Sequence, residues 1–339
     1  MVRPGLPPTA GNTVTARRLA EGLRAEGVDA RILSADALPG APRPGPGEVV
    51  HALHARLAGV PAVHWARGSP VIWTFTGTDL GPGERAAVAS AARRVAAFVA
   101  FHAQQAEELR RELGVAPASV RVIAPGVDLS GFAGGRRGPE SAAPRAAEAE
   151  PMLFLLPAGI REVKDPDLAV AAVEAVRRAG SDAALAVAGP SRDDAFCAAF
   201  LERLRAAPFA RYIGEVPRAE MPGWYARAAV VLNTSRAEGL SNAVLEAMAL
   251  GRPVLATDIA GNRAAIRHGT DGWLAAPSVL PEAAAMLAAD RELRRRLGRA
   301  AAEAVRARFA IQAEVAAHLR LYAEVLAGGP APHPGRRGR

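Results

Sequence analysis

Short apolar runs alternate along the whole chain with longer stretches whose apolar residues recur at helical spacing. In the first half, runs rich in Val, Ile, Leu and Phe predict strands at 29–33, 48–52, 71–75, 95–101 and 120–123. Helical patterns separate them, as at 14–26, where Ala16, Leu19, Ala20 and Leu23 share one face. The second half repeats the arrangement, with strands predicted at 152–156, 184–188, 211–213, 230–233, 253–256 and 272–274. Helices are predicted between them at 166–179, 193–206, 220–228, 242–250 and 261–268, followed by helices at 282–287, 291–308 and 311–326. Apolar strands alternating with helices mean parallel sheets covered on both faces. The predicted fold is therefore α/β, with two doubly wound, Rossmann-like domains.

Residues 1–132 form the first expected domain and 152–327, with the terminal helices, the second. Residues 133–151 lack apolar periodicity and are rich in Gly, Pro, Ala and charge, which predicts a flexible linker. Residues 328–339 are expected to be a disordered tail. Such sheets bind ligands beyond the carboxyl ends of their strands, so two of them facing each other place the expected site in a cleft between domains. One feature breaks the pattern. Only Met1-Val2-Arg3 precede the first Pro-rich turn, so the first strand is expected to be missing or truncated, with the native start further upstream.

Composition narrows the partners. Of 339 residues half are hydrophobic and 22% charged, enough for two cores and against disorder over the whole length. There are 42 basic and 34 acidic residues, a net charge of +8, and every basic residue except Lys164 is arginine. That balance suits polyanions. Yet Arg136, Arg137, Arg336, Arg337 and Arg339 fall in the linker and tail, and aromatics reach only 5%, which leaves few stacking platforms for nucleic acid. A nucleotide with a few phosphates fits scattered arginines better. The single cysteine, Cys197, rules out an internal disulfide or a Cys-based zinc cluster. No uncharged apolar run is long enough to span a membrane, and no apolar signal region stands near the start. The expected location is the cytoplasm, with peripheral membrane contact left open.

The segment richest in chemistry follows the strand at 230–233. It reads Arg236-Ala-Glu238-Gly239-Leu240-Ser241-Asn242, then a helix carrying Glu246 and ending at Gly251-Arg-Pro253. A strand, a glycine turn and a helix capped by Ser241 or Asn242 offer free N–H groups and the positive dipole end to an anion. Gly239 lets a ligand approach the backbone. Glu246 lies about a turn inside the helix, where its two oxygens can accept from a vicinal diol. A capped amphipathic helix with exposed glutamates is the plain alternative.

The two glutamates with seven residues between them, and Glu246-Ala-Met-Ala-Leu-Gly251-Arg-Pro253 after them, resemble the signature of family 4 (group 1) retaining glycosyltransferases. These have the GT-B architecture of two Rossmann-like domains facing across a cleft. Gly11-Asn12-Thr13, ahead of Arg17-Arg18-Leu19-Ala20, resembles their N-terminal glycine loop. The segments 122–129 and 158–166 resemble the end of their first domain and the start of their second. Gly77-Thr78-Asp79, Arg161-Glu-Val-Lys164-Asp165-Pro166 and Ser235-Arg-Ala-Glu238-Gly239 further resemble the glycosyltransferase 1 domain-containing subgroup.

The resemblance implies a nucleotide diphospho-sugar as co-substrate, no cofactor and no metal. It implies that Glu246 holds the donor ribose, that Glu238 lies by the transferred sugar, and that Arg161 and Lys164 neutralise the diphosphate leaving group. Gly11, Asn12, Gly239, Leu240, Ser241 and Asn242 would line the donor site. Fixed cations suit that place, because negative charge grows there as the sugar–phosphate bond breaks. Two departures stand out. Arg161 and Lys164 are closer in sequence than is usual in the family, and Thr76 occupies the slot where many relatives have histidine. His54, Asp79 and His102 are the alternative groups for the acceptor and sugar side of the cleft. Ala52-Leu53-His54-Ala55-Arg56 and Thr76-Gly77-Thr78-Asp79 also resemble selenosugar synthases, which use an unusual small acceptor. A non-catalytic nucleotide-sugar-binding protein is the third reading.

Overall fold

A computed structural model describes residues 1–3, 11–77, 79, 85–127 and 150–328. Thr78, all but the last two residues of the expected linker and nearly all of the expected tail lie outside the described residues. The chain divides into two compact units. One comprises Met1–Gly126, Glu238–Leu240 and Phe309–Arg339; the other comprises Val127–Ala237 and Ser241–Arg308.

The first unit contains β1 (Val2–Arg3), α1 (Gly11–Ala25), β2 (Leu33–Ser34), β3 (Val50–Leu53), α2 (Val60–Trp65), β4 (Val71–Thr74) and α3 (Arg85–Ala92). β5 (Ala97–Ala100), α4 (Ala103–Leu113) and β6 (Val120–Val122) follow. The six strands are parallel in the order β2-β1-β3-β4-β5-β6, a doubly wound order that reverses beside β1. β3, β4 and β5 are buried on both faces, and Trp73 packs edge-on against Phe98 at 6.0 Å. The first strand is present, though short. Val2 pairs with Leu33 on one side and Ala52 on the other. The strand predicted at 29–33 shrinks to Leu33–Ser34, because β1 gives its neighbour only two residues to pair with.

The second unit contains β7 (Met152–Pro157), α5 (Pro166–Arg178), β8 (Ala183–Ala188), α6 (Asp194–Leu204), β9 (Ala210–Gly214) and α7 (Met221–Arg227). It continues with β10 (Val230–Asn233), α8 (Asn242–Ala249), β11 (Val254–Thr257), α9 (Ala260–Ala265), β12 (Trp273–Ala275), α10 (Leu280–Ala289) and α11 (Arg291–Arg308). Its six parallel strands run β12-β11-β10-β7-β8-β9. This is the Rossmann order, with its switch point between β7 and β10. Phe154, Leu156, Val173, Val176, Val187 and Phe200 form its core beneath α5 and α6.

One helix changes sides relative to expectation. The sequence pattern places α12 (Ile311–Leu326) with the second domain, whereas it packs within the first unit, Val315 against Leu19 and Leu23 of α1. Polar pairing fixes it there. Glu314 of α12 receives both Nε and Nη2 of buried Arg18 at 3.2 Å and the Gly126 amide at 2.8 Å. Tyr322 lies 2.7 Å from Nδ1 of His51, whose Nε2 meets Thr74 Oγ1 at 2.6 Å. Hydrophobic periodicity marks α12 as a helix but carries no record of which sheet its buried face meets.

Candidate functional site

The carboxyl ends of β7 and β10 flank the switch point of the second unit, and their loops are tied together. The Arg236 amide donates to Val163 O at 2.8 Å, and Thr234 Oγ1 donates to Lys164 O at 2.8 Å. Arg236 also bridges Asp165 and Glu162, at 3.0 and 3.1 Å. Its guanidinium pKa is raised by these carboxylates, the Asp165 hydrogen bond foremost. Asp165 has φ +43°, a left-handed conformation unusual outside glycine and costly before a proline. Such strain persists only where surrounding contacts impose it, and here Arg236 supplies one. Arg161 and Lys164, the expected diphosphate cations, bracket a single 3₁₀ turn, Glu162–Lys164. This turn sets both side chains on one short loop despite their close spacing in sequence.

Behind the β10 loop runs a buried polar lattice. Asn262 Nδ2 donates to Asn233 Oδ1 at 3.1 Å and to Thr257 O at 2.9 Å, and Thr257 Oγ1 donates to Ser235 O at 2.6 Å. It fixes the path of the chain towards Glu238, Gly239 and Leu240, which precede α8. The N-cap of α8 is Ser241, and its hydroxyl makes no capping hydrogen bond. Asn242 is the first helical residue rather than the cap.

Glu246 is not an exposed glutamate: its side chain is 14% exposed and held from two directions. Tyr225 Oη donates to Oε2 at 3.1 Å, and Arg218 Nη1 lies 3.3 Å from Oε1. Burial, and then the carboxylate itself, push the Tyr225 phenol well above its ordinary pKa, so it stays a donor. Tyr225 and Arg218 were not legible as site residues. Tyr225 sits on the apolar face of α7, and Arg218 is one arginine among many.

In the first unit the expected groups gather around one carboxylate. Asp79 Oδ1 accepts the Ala55 amide at 2.7 Å; Oδ2 accepts the Thr76 and Gly77 amides at 2.7 and 2.9 Å, and Thr76 Oγ1 at 3.3 Å. His54, with φ +85°, accepts the Leu57 amide on Nδ1 at 3.3 Å and lies 3.5 Å from Asp79 Oδ1. His102, expected beside the cleft, caps α4 by accepting the Gln105 amide on Nδ1 at 3.2 Å, and burial lowers its pKa. Gly11 and Asn12, expected in a loop ahead of the first helix, form its first turn instead. Helix formation there needs no change of residue, since the start of a helix tolerates glycine. Among the described residues there is no group of three or more His, Cys, Asp or Glu side chains that could hold a metal ion. Among them, too, no helix is long and apolar enough to cross a membrane.

Residues 152–290 match the family described as glycosyl transferases group 1, and residues 47–130 match glycosyltransferase family 4. The chain thus carries group 1 and family 4 glycosyltransferase domains. It is similar to D-inositol 3-phosphate glycosyltransferase 1 of Catenulispora acidiphila, 34% identical over 261 residues, which cover 68% of this chain and 60% of that protein. It is also 34% identical over 146 residues to glycosyltransferase 1 domain-containing protein 1 of Xenopus tropicalis, covering 43% of this chain and 42% of the other. The chain thus spans about half the length of the curated relatives it matches. Sucrose-phosphate synthase from Thermosynechococcus elongatus superposes with a TM-score of 0.77 at 17% identity, covering 97% of this chain and 99% of that one. Anabaena HepE in complex with UDP-glucose gives 0.74 at 14% identity, covering 96% and 99%. At such identities the likeness is one of fold, and that fold is GT-B: two parallel-sheet, Rossmann-like domains.

Proposed function

We propose that this chain is a retaining glycosyltransferase that moves a sugar from a nucleotide diphospho-sugar to an acceptor. The observation that carries the reading is Glu246, a mostly buried carboxylate aimed by Tyr225 and Arg218. It stands about one turn inside α8. A carboxylate so held accepts from both hydroxyls of a ribose. The start of α8, with Gly239, Leu240, Ser241 and Asn242, is the proposed seat of the phosphates, and Gly11 and Asn12 are proposed to bind the donor as well. Arg161 and Lys164 neutralise the leaving diphosphate, so the reading needs no metal and no cofactor. Glu238 orients the sugar.

Transfer occurs on one face. The bond from the anomeric carbon to the diphosphate oxygen breaks and that oxygen takes the acceptor's proton. The acceptor oxygen then bonds to the same face. The HepE complex supports the donor class, since that protein of like fold is seen with UDP-glucose. The transferred sugar, hexosyl in this reading, comes from a UDP-, GDP- or ADP-linked donor. The test is a panel of these nucleotide sugars followed by melting temperature and by proton NMR of the released sugar. One donor class should raise the melting temperature and be slowly hydrolysed or transferred with its anomeric configuration kept, and Glu246→Ala should weaken its binding about tenfold or more. An inverted anomer rules out the retaining mechanism. Binding with no turnover to any acceptor favours a nucleotide-sugar sensor.

A further inference from the structure

Beside the loop that carries Arg161, a second arginine stands where no sequence motif singles it out. Beyond the carboxyl ends of β7 and β8 the two chains make one more parallel bridge, Ile160 to Ser191. Backbone hydrogen bonds close it, Ile160 N to Pro190 O at 2.9 Å and Arg192 N to Ile160 O at 3.1 Å. Chains so paired lie about 4.8 Å apart, and Arg161 and Arg192 are the next residue on each. Arg161 is still extended, with φ −166° and ψ 157°. Arg192 lies across the backbone of Gly159: a Cβ built there would stand 3.0 Å from its Cγ and 3.6 Å from its Nε. Glycine at 159 is what lets the arginine lie flat against the β7 loop.

Both guanidiniums are half-buried, and among the described residues neither has a hydrogen bond or an ion pair. That sets them apart within their own unit. The other half-buried arginines there, Arg252, Arg294 and Arg308, each donate to backbone carbonyls. Burial, and next the charge of Arg161, lower the pKa of Arg192; Glu215 is the nearest opposing influence. Two adjacent cations repel each other, and a bound anion offsets that cost. Guanidinium forks match the paired oxygens of phosphates.

We propose that Arg192 and Arg161 form a paired-guanidinium clamp on the diphosphate of the nucleotide donor, Arg192 binding the ligand in its own right. The inference rests on the donor reading above and adds a residue to it. Each fork meets one phosphate, so a nucleoside diphosphate engages both arginines and a nucleoside neither.

The test is calorimetric titration of the full chain with UDP, GDP and ADP and with the corresponding nucleosides. The parent protein is compared with Arg161→Ala, Arg192→Ala and Arg192→Lys. The diphosphate that binds the parent should bind Arg192→Ala about tenfold to a hundredfold more weakly. Nucleoside affinity should not change, and Arg192→Lys, which keeps the charge without the fork, should fall between. If Arg192→Ala binds the diphosphate like the parent while Arg161→Ala is weakened, the clamp is wrong and the donor reading stands. If no nucleoside diphosphate binds the parent, both fall together.

Discussion

The two units treat their strand-end charges in opposite ways. In the first, the Asp79 carboxylate is fully engaged by its own chain: the amides of Ala55, Thr76 and Gly77 and the Thr76 hydroxyl occupy both oxygens. His54 and His102 likewise turn Nδ1 onto neighbouring amides. In the second, Arg161 and Arg192 are held side by side without such partners among the described residues. Groups already satisfied internally give shape to a loop, whereas groups left unsatisfied give it affinity. In the proposed reaction, then, the first unit supplies a rigid frame and the second binds the charge that develops.

The largest effect that tests this contrast is on stability. Asp79→Ala takes the acceptor from the amides of Ala55, Thr76 and Gly77, the first bond buried and the other two partly so, and its cost should reach about 3–5 kcal/mol. Urea unfolding checks it directly. A variant as stable as the parent would mean that the carboxylate is not the organiser of the loop, and the contrast would fail on its first-unit side.

The second-unit side is tested by the reverse pattern. Arg161→Ala should leave stability within about 0.5 kcal/mol, because nothing in the fold depends on that guanidinium. Turnover should suffer instead: losing a cation that acts on the leaving group costs about 2–4 kcal/mol of barrier, seen in kcat more than in donor affinity. Kinetics and urea midpoints measured side by side on one preparation decide it, and a destabilised but fully active variant would reverse the assignment.

How much of this was legible beforehand follows the same division. Strands 230–233 and 253–256, the helix at 242–250 and the parallel sheets implied by alternation all rest on local periodicity, and they stand nearly as read. The place of Glu246 inside α8 was legible, because it follows from helical spacing beyond a glycine turn. Arg192 was not, since its meaning comes from a bridge between two loops about thirty residues apart in sequence, which no local pattern encodes. The one usable signal was its place just past the carboxyl end of a strand. Tyr225 was hidden for the opposite reason: an aromatic on an apolar helix face is indistinguishable from core until its hydroxyl is seen on Glu246. The side on which α12 packs was illegible too, because Arg18 and Glu314 pair across nearly the whole chain.

Acid separates the units by a further, smaller effect. His51 and His318 are buried in the first unit with rings 5.3 Å apart, and burial lowers both pKa values, that of His51 furthest. Both are neutral in the folded state, and above their ordinary value of 6.5 they contribute nothing to the pH dependence. Below it the unfolded chain takes up protons that the folded chain refuses. Stability should therefore fall with pH by up to about 1.4 kcal/mol per pH unit for each histidine. His318→Leu should flatten the fall. It removes one of the two sites, and the hydrogen bond lost with it, Nδ1 to Glu314 O at 2.9 Å, lowers stability alike across this pH range and leaves the slope to report the titration. A curve for the parent that stays level between pH 7 and 5.5 would show that neither ring is held neutral.

The smallest effect returns to Glu246 and asks how finely the second unit aims this carboxylate. Tyr225→Phe removes one hydroxyl from a fully buried ring and leaves its packing intact. Oε2 then loses its 3.1 Å donor, while Oε1 keeps Arg218 at 3.3 Å. The carboxylate stays charged and near its place but is free to rotate towards the arginine, away from a ribose. One net hydrogen bond is worth about 1 kcal/mol, so donor affinity should weaken about fivefold. Because the ribose is bound alike before and during transfer, KM should carry the change and kcat should not. A fall in kcat with KM unmoved would instead make Tyr225 part of the reacting centre, and the aim of Glu246 would have to come from Arg218 alone.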